Sequence, residues 1–325
     1  QITGDFTRAE IPNVDSISSK QELEEKIHQR KILITTIFKF GDLDEGEVID
    51  DRDNIILLMD EAHRTQEGDL GKKMRTALPN ATYVGFTGTP IDETIHVFGA
   101  EVDRYTMRQS VDDGITVDIK YEARLARVLV DSEQAKQIEA YYKQCAEEGA
   151  TEEDIRKSKE AMSSLNIILG DPERQNKLAV DIINHYDRFC EEQPELVQKA
   201  MIVCSDRKIA YGLYKLIAKY RPEWVEPRKA MNEEELSAEE LEKLEAVPFV
   251  NLIATRERND AKEMYDALGD KDNRKHLAEL FKDDKSNFRI AIVVDMWITG
   301  FDAPCLSVLY NDKPLQKHTL IQTIS

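Results

Sequence analysis

Asn54-Ile55-Ile56-Leu57-Leu58-Met59-Asp60-Glu61-Ala62-His63 decides the reading of this chain, together with Ala81-Thr82-Tyr83-Val84-Gly85-Phe86-Thr87-Gly88-Thr89-Pro90 a short way downstream. Asn54 to Met59 and Ala81 to Phe86 are continuous runs of apolar and β-branched residues, the pattern of strands buried on both faces in a parallel sheet. Between them, Gly68 to Leu78 predicts a short helix ended by Pro79, making a strand–helix–strand unit with short connections. Ligands gather at the carboxyl ends of strands in open α/β sheets. Two adjacent carboxylates at such an end suit phosphoryl transfer, one anchoring Mg2+ on the phosphates and the other orienting or deprotonating water. Asp60 is therefore assigned to Mg2+, mostly through its water shell, and Glu61 to the water. His63 is placed to link nucleotide state to the next strand. Thr87 and Thr89 around Gly88 put hydroxyls and bare backbone N–H groups beside the carboxylates, as a γ-phosphate sensor requires. Taken alone, Asp60-Glu61 would cap a helix and Gly88-Thr89-Pro90 would be a turn. Their spacing across one strand–helix–strand unit favours a joint site.

The same alternation extends in both directions. Lys31 to Ile37 predicts an earlier strand. Ala200 to Cys204, Phe249 to Ala254, Arg289 to Val294 and Leu306 to Tyr310 predict a second sheet, with helices at Arg207 to Lys219 and Arg274 to Lys282. Ile115 to Val130 alternates apolar and polar residues and predicts an extended crossover. Ser132 to Glu148, Thr151 to Leu169 and Glu173 to Glu191 predict helices, with Ser132 and Thr151 as N-caps and Gly149 and Gly170-Asp171-Pro172 as separators. The expected architecture is α/β: a first lobe over residues 1–130, a helical connector over 131–195 and a second lobe over 196–325. Asn232 to Glu245 carries seven Glu and one Lys and reads as a solvated acidic helix or insertion, with a partner-binding tail as the alternative.

Composition limits the partners. The chain has 325 residues, which argues for about two domains. Lys and Arg number 44 against 63 Asp and Glu, a net charge of −19, so bulk positive charge does not hold this protein on nucleic acid. The longest apolar runs are far shorter than the roughly 20 residues of a membrane span, and no secretory signal precedes them. Cys145, Cys190, Cys204 and Cys305 are scattered without a CxxC pair, so neither zinc nor disulfides are expected, and a cytoplasmic location follows.

Asp60-Glu61-Ala62-His63 followed by Gly85-Phe86-Thr87-Gly88-Thr89-Pro90 resembles motifs II and III of superfamily 2 helicases and translocases. Asp295-Met296-Trp297-Ile298-Thr299-Gly300-Phe301-Asp302-Ala303-Pro304 resembles motif V in the form found in the motor subunit, the R subunit, of type I restriction enzymes. Thr35-Thr36-Ile37-Phe38-Lys39-Phe40 is similar to that family's Thr-Thr-Ile-x-Lys-Phe segment. Lys199 to Arg207 is similar to its motif IV, and Gln322-Thr323-Ile324-Ser325 to the opening of motif VI. The resemblance implies two RecA-like parallel-sheet lobes, the first incomplete at its N-terminus, joined by a helical crossover. It also implies ATP and Mg2+ as cofactors, double-stranded DNA as the track, and specificity and methylation subunits as partners. Thr299, Gly300, Asp302 and Gln322 would line the nucleotide cleft, with Asp302 accepting a hydrogen bond from ribose or a cross-lobe donor. Thr35, Thr36, Lys39, Arg207 and Thr299 would meet DNA, while Phe38 and Phe40 pack in the core. Arg207 has ion pairing at a helix start as an equal alternative.

The departures also carry information. No Gly-x-x-x-x-Gly-Lys-Ser/Thr occurs: the one Gly-Lys pair is Gly71-Lys72, with Gln66 in the place of the first glycine and Lys73 in the place of Ser/Thr. The chain therefore reads as an internal fragment, without P-loop, nuclease domain or the arginines of motif VI, and is expected to be inactive alone. The competing functions are another superfamily 2 helicase or translocase and a non-catalytic interaction scaffold. A metal-dependent phosphoesterase built on Asp60, Glu61 and His63 lacks further spaced ligands.

Overall fold

The computed structural model describes residues 10–62, 69–88, 92–122, 124, 166–230, 233, 236–298 and 301–313. The chain divides into two compact units, residues 1–118 and 119–325. Both are α/β with parallel strands, as the sequence predicts.

In the first unit, β1 (Val14–Ser16) pairs with β2 (Ile32–Ile34), and β3 (Ile56–Met59) pairs with β4 (Thr82–Gly85). Helix α1 (Lys20–Lys26) starts at Ser19, whose hydroxyl accepts the Glu22 amide. Helix α2 (Asp69–Ala77) is the short helix expected between β3 and β4. It contains Gly71-Lys72-Lys73 as ordinary helical residues, and Lys73 Nζ donates to the carbonyls of Gly41 (2.9 Å) and Leu43 (2.7 Å). Helices α3 (Asp92–Phe98) and α4 (Met107–Asp112) follow, the latter closed by a capping box between Thr106 and Gln109. The core gathers Leu23, Phe40, Leu43, Met59, Met74, Ala77 and Leu78.

Three expectations for this unit need correction. The run at Lys31 to Ile37 is strand only to Ile34; Ile37–Phe40 is a 3-10 helix. At about three residues per turn, Ile37 and Phe40 share a face, which turns Phe38 outward. Phe40 is therefore 3% exposed and Phe38 71%, so Phe38 is not a core residue. Strands β3 and β4 are not buried on both faces either: in β4, Thr82 and Gly85 are exposed. Leu57 and Met59 enter the core, but Ile56 and Leu58 are 67% and 68% exposed, because the core layer covers one side of the strand.

The second unit has one sheet of order β6-β7-β5-β8, all parallel. Its connections run through α5 (Pro172–Glu192), β5 (Lys199–Cys204), α6 (Arg207–Tyr220), α7 (Ala238–Lys243), β6 (Val250–Ile253), α8 (Lys262–Leu268), α9 (Lys271–Lys282), β7 (Ile290–Val293) and β8 (Leu306–Asp312). All six residues of β5 and all four of β7 are buried. Alternation explains why these runs are unbroken: Ala200, Ile202, Cys204, Ile290 and Ile292 enter one core with α5 and α6. Met201, Val203, Ala291 and Val293 enter the opposite core with Phe281 and Phe288. Pro172 opens α5 behind Asp171, whose carboxylate accepts the Arg174 amide at 2.8 Å. On α6, Ile209, Ala210, Leu213 and Ile217 form one buried stripe. The acidic stretch forms α7, an exposed helix closed by a capping box between Ser237 and Glu240. Residues 115–122 form no strand. Ser132 to Glu148 and the Thr151 cap lie outside the described residues, and 166–169 of the predicted Thr151 helix are helical. Among the described residues no helix is long and apolar enough to cross a membrane.

Candidate functional site

The carboxyl ends of β3 and β4 lie side by side, with Met59 opposite Gly85. Past the paired residues the two segments stay joined: the Phe86 amide donates to the Met59 carbonyl at 2.8 Å, and the Ala62 amide to the Phe86 carbonyl at 3.0 Å. Asp60 is exposed at the strand end, and its Oδ1 accepts the Glu61 amide at 2.9 Å. Glu61 is half-buried with φ 50°, a left-handed backbone that costs a non-glycine residue about 1–3 kcal/mol. Such strain persists only where neighbours fix the chain, and here the fully buried Ala62 follows at once. A Cβ on Gly85 would stand 2.8 Å from the Ala62 Cβ and 3.1 Å from the Phe98 ring, so only glycine permits the approach. Half-buried Thr87 and exposed Gly88 continue from Phe86. The site thus brings Asp60, Glu61, Thr87 and Gly88 onto one strand-end surface; His63 and Thr89 lie outside the described residues.

Among the described residues no group of three His, Cys, Asp or Glu side chains is placed to hold a metal unaided. Asp60 still fits Mg2+, a hard cation that nucleotide sites hold with one or two carboxylates plus water and phosphate oxygens.

Elsewhere in this unit, half-buried Thr35 follows β2, exposed Thr36 precedes the 3-10 helix without a side-chain capping bond, and half-buried Lys39 lies in the helix's last residues. Exposed Phe38 stands among them.

In the second unit, Arg207 opens α6 with its guanidinium engaged. Nη1 donates to the Thr255 carbonyl (3.0 Å) and Asp260 (2.7 Å), and Nη2 lies 2.9 Å from Glu257. Of its two expected roles, the ion pair at a helix start is the one observed. Asp302 is exposed, while Thr299, Gly300 and Gln322 lie outside the described residues.

The strand ends of the second unit hold features that the sequence pattern did not flag. Arg174 and Asp312, 1% and 8% exposed, form an ion pair between the first turn of α5 and the end of β8. Burial pushes the Asp312 carboxyl up, and Arg174 opposes it. Burial also pushes the neighbouring Cys204 thiol far up, so it is unreactive. After β7 the chain makes an unusual loop, with Asp295 at φ 52° and Trp297 at φ 60°. Asp295 pairs with Lys313. The Trp297 ring stacks on Phe301, with centroids 4.3 Å apart and planes within 1°. Each aromatic pair is worth about 0.5–1.5 kcal/mol beyond its burial, the same order as the cost of the left-handed backbone it supports.

Residues 1–156 match the SWI2/SNF2 ATPase family, and residues 179–325 match type I restriction enzyme subunit R domain 3. The putative type I restriction enzyme MjaIXP endonuclease subunit of Methanocaldococcus jannaschii is 33% identical over 98% of this chain and 28% of its own length. The type I restriction enzyme HindI endonuclease subunit of Haemophilus influenzae is 33% identical over 95% of this chain and 29% of its own. The chain belongs to the type I restriction enzyme R-subunit family. It spans under a third of the length of these curated relatives. The Pyrococcus furiosus Hef helicase domain is similar over 98% of this chain and 80% of its own, at 13% identity and a TM-score of 0.45.

Within the R-subunit family assignment, the SWI2/SNF2 match covers the Asp60-Glu61 turn and its partner at Phe86-Thr87, and the domain 3 match covers the loop after β7. The first of these matches supports an ATPase part. The Arg174–Asp312 pair left one trace in the sequence, an aspartate two residues past the apolar run Leu306 to Tyr310. The aromatic stack left another, a tryptophan two residues before Thr299.

Proposed function

We propose that this chain is the ATP-dependent, DNA-translocating motor portion of a type I restriction endonuclease R subunit. One observation carries the reading. The Asp60-Glu61-Ala62 turn is hydrogen-bonded to Phe86 immediately before Thr87 and Gly88, so an acidic pair and a hydroxyl-bearing turn share one strand-end surface. Bound ATP with Mg2+ supplies the phosphoanhydride and the neutralising charge. Asp60 holds the metal side, mostly through water, and Glu61 orients the attacking water and accepts its proton. Thr87, Gly88 and Thr89 register the γ-phosphate, and the Ala62–Phe86 hydrogen bond passes a shift there to Glu61. His63, two residues past Glu61, would link nucleotide state to the next strand. From the second unit, Thr299, Gly300, Asp302 and Gln322 serve the nucleotide. Thr35, Thr36, Lys39, Arg207 and Thr299 meet the DNA backbone; Arg207 would do so by exchanging a carboxylate partner for phosphate. Double-stranded DNA is the track, specificity and methylation subunits are the partners, and the cytoplasm is the compartment. The 325-residue chain contains no Gly-x-x-x-x-Gly-Lys-Ser/Thr. By itself it is expected not to turn over ATP, since no backbone nest with its lysine fixes the phosphates.

The test is made in the full-length subunit with Mg2+, ATP and linear duplex DNA. Glu61→Gln binds ATP but stalls hydrolysis, whereas Asp60→Asn loses metal-dependent turnover with a smaller fall in nucleotide affinity. Normal turnover in Glu61→Gln would overturn its assignment, and stimulation by RNA rather than duplex DNA would overturn the track.

A further inference from the structure

We infer that Phe98 is a positioning residue: its ring, backed by Arg75, holds Ala62 against Gly85 and so fixes the turn that carries Glu61. This role rests on the motor reading above and extends it, by naming the side chain that keeps the candidate water-activating carboxylate in place.

Glu61 stands at φ 50°, where a non-glycine residue stays only if its neighbours hold the chain. The hold on its C-terminal side is visible. The Ala62 amide donates to the Phe86 carbonyl at 3.0 Å, and Ala62 is fully buried. A Cβ on Gly85 would come within 2.8 Å of the Ala62 Cβ, and within 3.1 and 3.2 Å of Cδ1 and Cε1 of Phe98. The methyl and the ring edge therefore crowd the same bare face of Gly85. The methyl belongs to the residue directly after Glu61. The ring belongs to the last residue of α3, so that helix reaches back through Phe98 to the end of β4.

Phe98 is itself held from behind. The Arg75 guanidinium lies over two rings, 4.5 Å from the Tyr83 centroid and 5.4 Å from the Phe98 centroid. Its Nη2 also donates to the Val97 carbonyl at 3.3 Å. A flat, delocalised cation can stack in this way, and a lysine ammonium offers no such plate. The Tyr83 hydroxyl lies 2.9 Å from the Leu78 carbonyl and 3.3 Å from that of Met74, at the end of α2. The support thus runs from α2 through Tyr83, Arg75 and Phe98 to Gly85 and Ala62. Filling the core does not account for it. Phe98 and Arg75 are only half-buried, and an aliphatic side chain would cover the same edge of the core without attracting a guanidinium.

The experiment measures ATP turnover of the full-length subunit with Mg2+ and linear duplex DNA, beside the thermal midpoint of each variant. Phe98→Leu keeps apolar bulk but has no ring, and it should lower kcat by about 10- to 100-fold, as a misplacement of up to an ångström does. KM for ATP should change less. Phe98→Tyr, which keeps the ring, should retain most of the rate. Arg75→Gln removes only the plate behind the ring and should lower kcat in the same direction by less. Because Phe98 acts through Glu61, Phe98→Leu added to Glu61→Gln should lower turnover little below that of Glu61→Gln alone. Full activity in Phe98→Leu would show that bulk suffices and overturn the inference. So would losses that multiply in the double variant. Should Phe98→Leu fail to fold, Arg75→Gln decides, and full activity there overturns the role. A wild-type subunit without DNA-stimulated turnover would instead bring down the motor reading, and the positioning role with it.

Discussion

The Ala62 amide meets the Phe86 carbonyl at 3.0 Å, so the acidic turn after β3 and the threonine turn after β4 move as one backbone unit. Gly85 makes that contact possible by letting Ala62 come close. Gly85→Ala would place a methyl 2.8 Å from the Ala62 Cβ, and Ala62 is fully buried with no room to retreat. The expected cost is about 1–3 kcal/mol, as for overpacked interiors. Urea unfolding of the first unit checks it. An unchanged midpoint would mean that the two turns can separate without penalty.

Neighbouring phenylalanines should respond in opposite ways. Phe40 is 3% exposed and belongs to the first core, so Phe40→Ala should cost about 3–5 kcal/mol. Phe38 is 71% exposed, and Phe38→Ala should stay within about 0.5 kcal/mol. Paired denaturation curves decide between this arrangement and one with both rings inside.

Breaking the Arg174–Asp312 pair leaves a charge buried without its partner. Asp312→Ala should destabilise the second unit by about 3–5 kcal/mol. Replacing both residues with apolar ones of similar size, Arg174→Met with Asp312→Leu, should recover much of that loss. A double variant as unstable as the single one would show that Arg174 is needed for its bond to the Leu169 carbonyl rather than for the charge.

Lys199 gives the second unit a distinct alkaline response. Burial, with Arg289 close by, lowers its ammonium from 10.5 to about 8. The folded state therefore sheds this proton more readily than the unfolded chain. Below about pH 8 both states carry it and the cost of burying the charge is fully present. From about 8 to 10.5 the unfolded chain binds more protons, so stability rises with pH. The whole effect is about 3 kcal/mol. Measured against Lys199→Met, which has no proton to lose, wild-type stability should gain across that window. A difference that stays flat from neutral pH to 10.5 would rule the effect out.

Much of this architecture was legible because burial on two faces imposes an unbroken apolar run, as at Ala200 to Cys204 and Arg289 to Val294. Strand β1 escaped notice because Val14-Asp15-Ser16 holds a single apolar residue and is fixed by its pairing with Ile32–Ile34. Phe38 misled because two neighbouring large apolar residues both read as interior, whereas a 3-10 turn separates them. The adjacency of Asp60, Glu61 and Thr87 could be read from spacing, since strand ends in a parallel pair must be adjacent. Long-range partners left weaker signals: nothing local to Lys199 foretells carbonyls at Leu280 to Asp283, nor does Trp297 announce Phe281.

Ile56 and Leu58 have a practical consequence for anyone handling this chain by itself. Their side chains make a water-facing greasy strip on β3, and such strips bring copies of a protein together. A net charge of −19 works against that at low ionic strength. Added salt shortens the range of the repulsion to about 3 Å at 1 M while leaving the apolar attraction intact. Colloidal behaviour should therefore run opposite to that of a salt-tolerant protein: clear in dilute buffer, and turbid as sodium chloride rises.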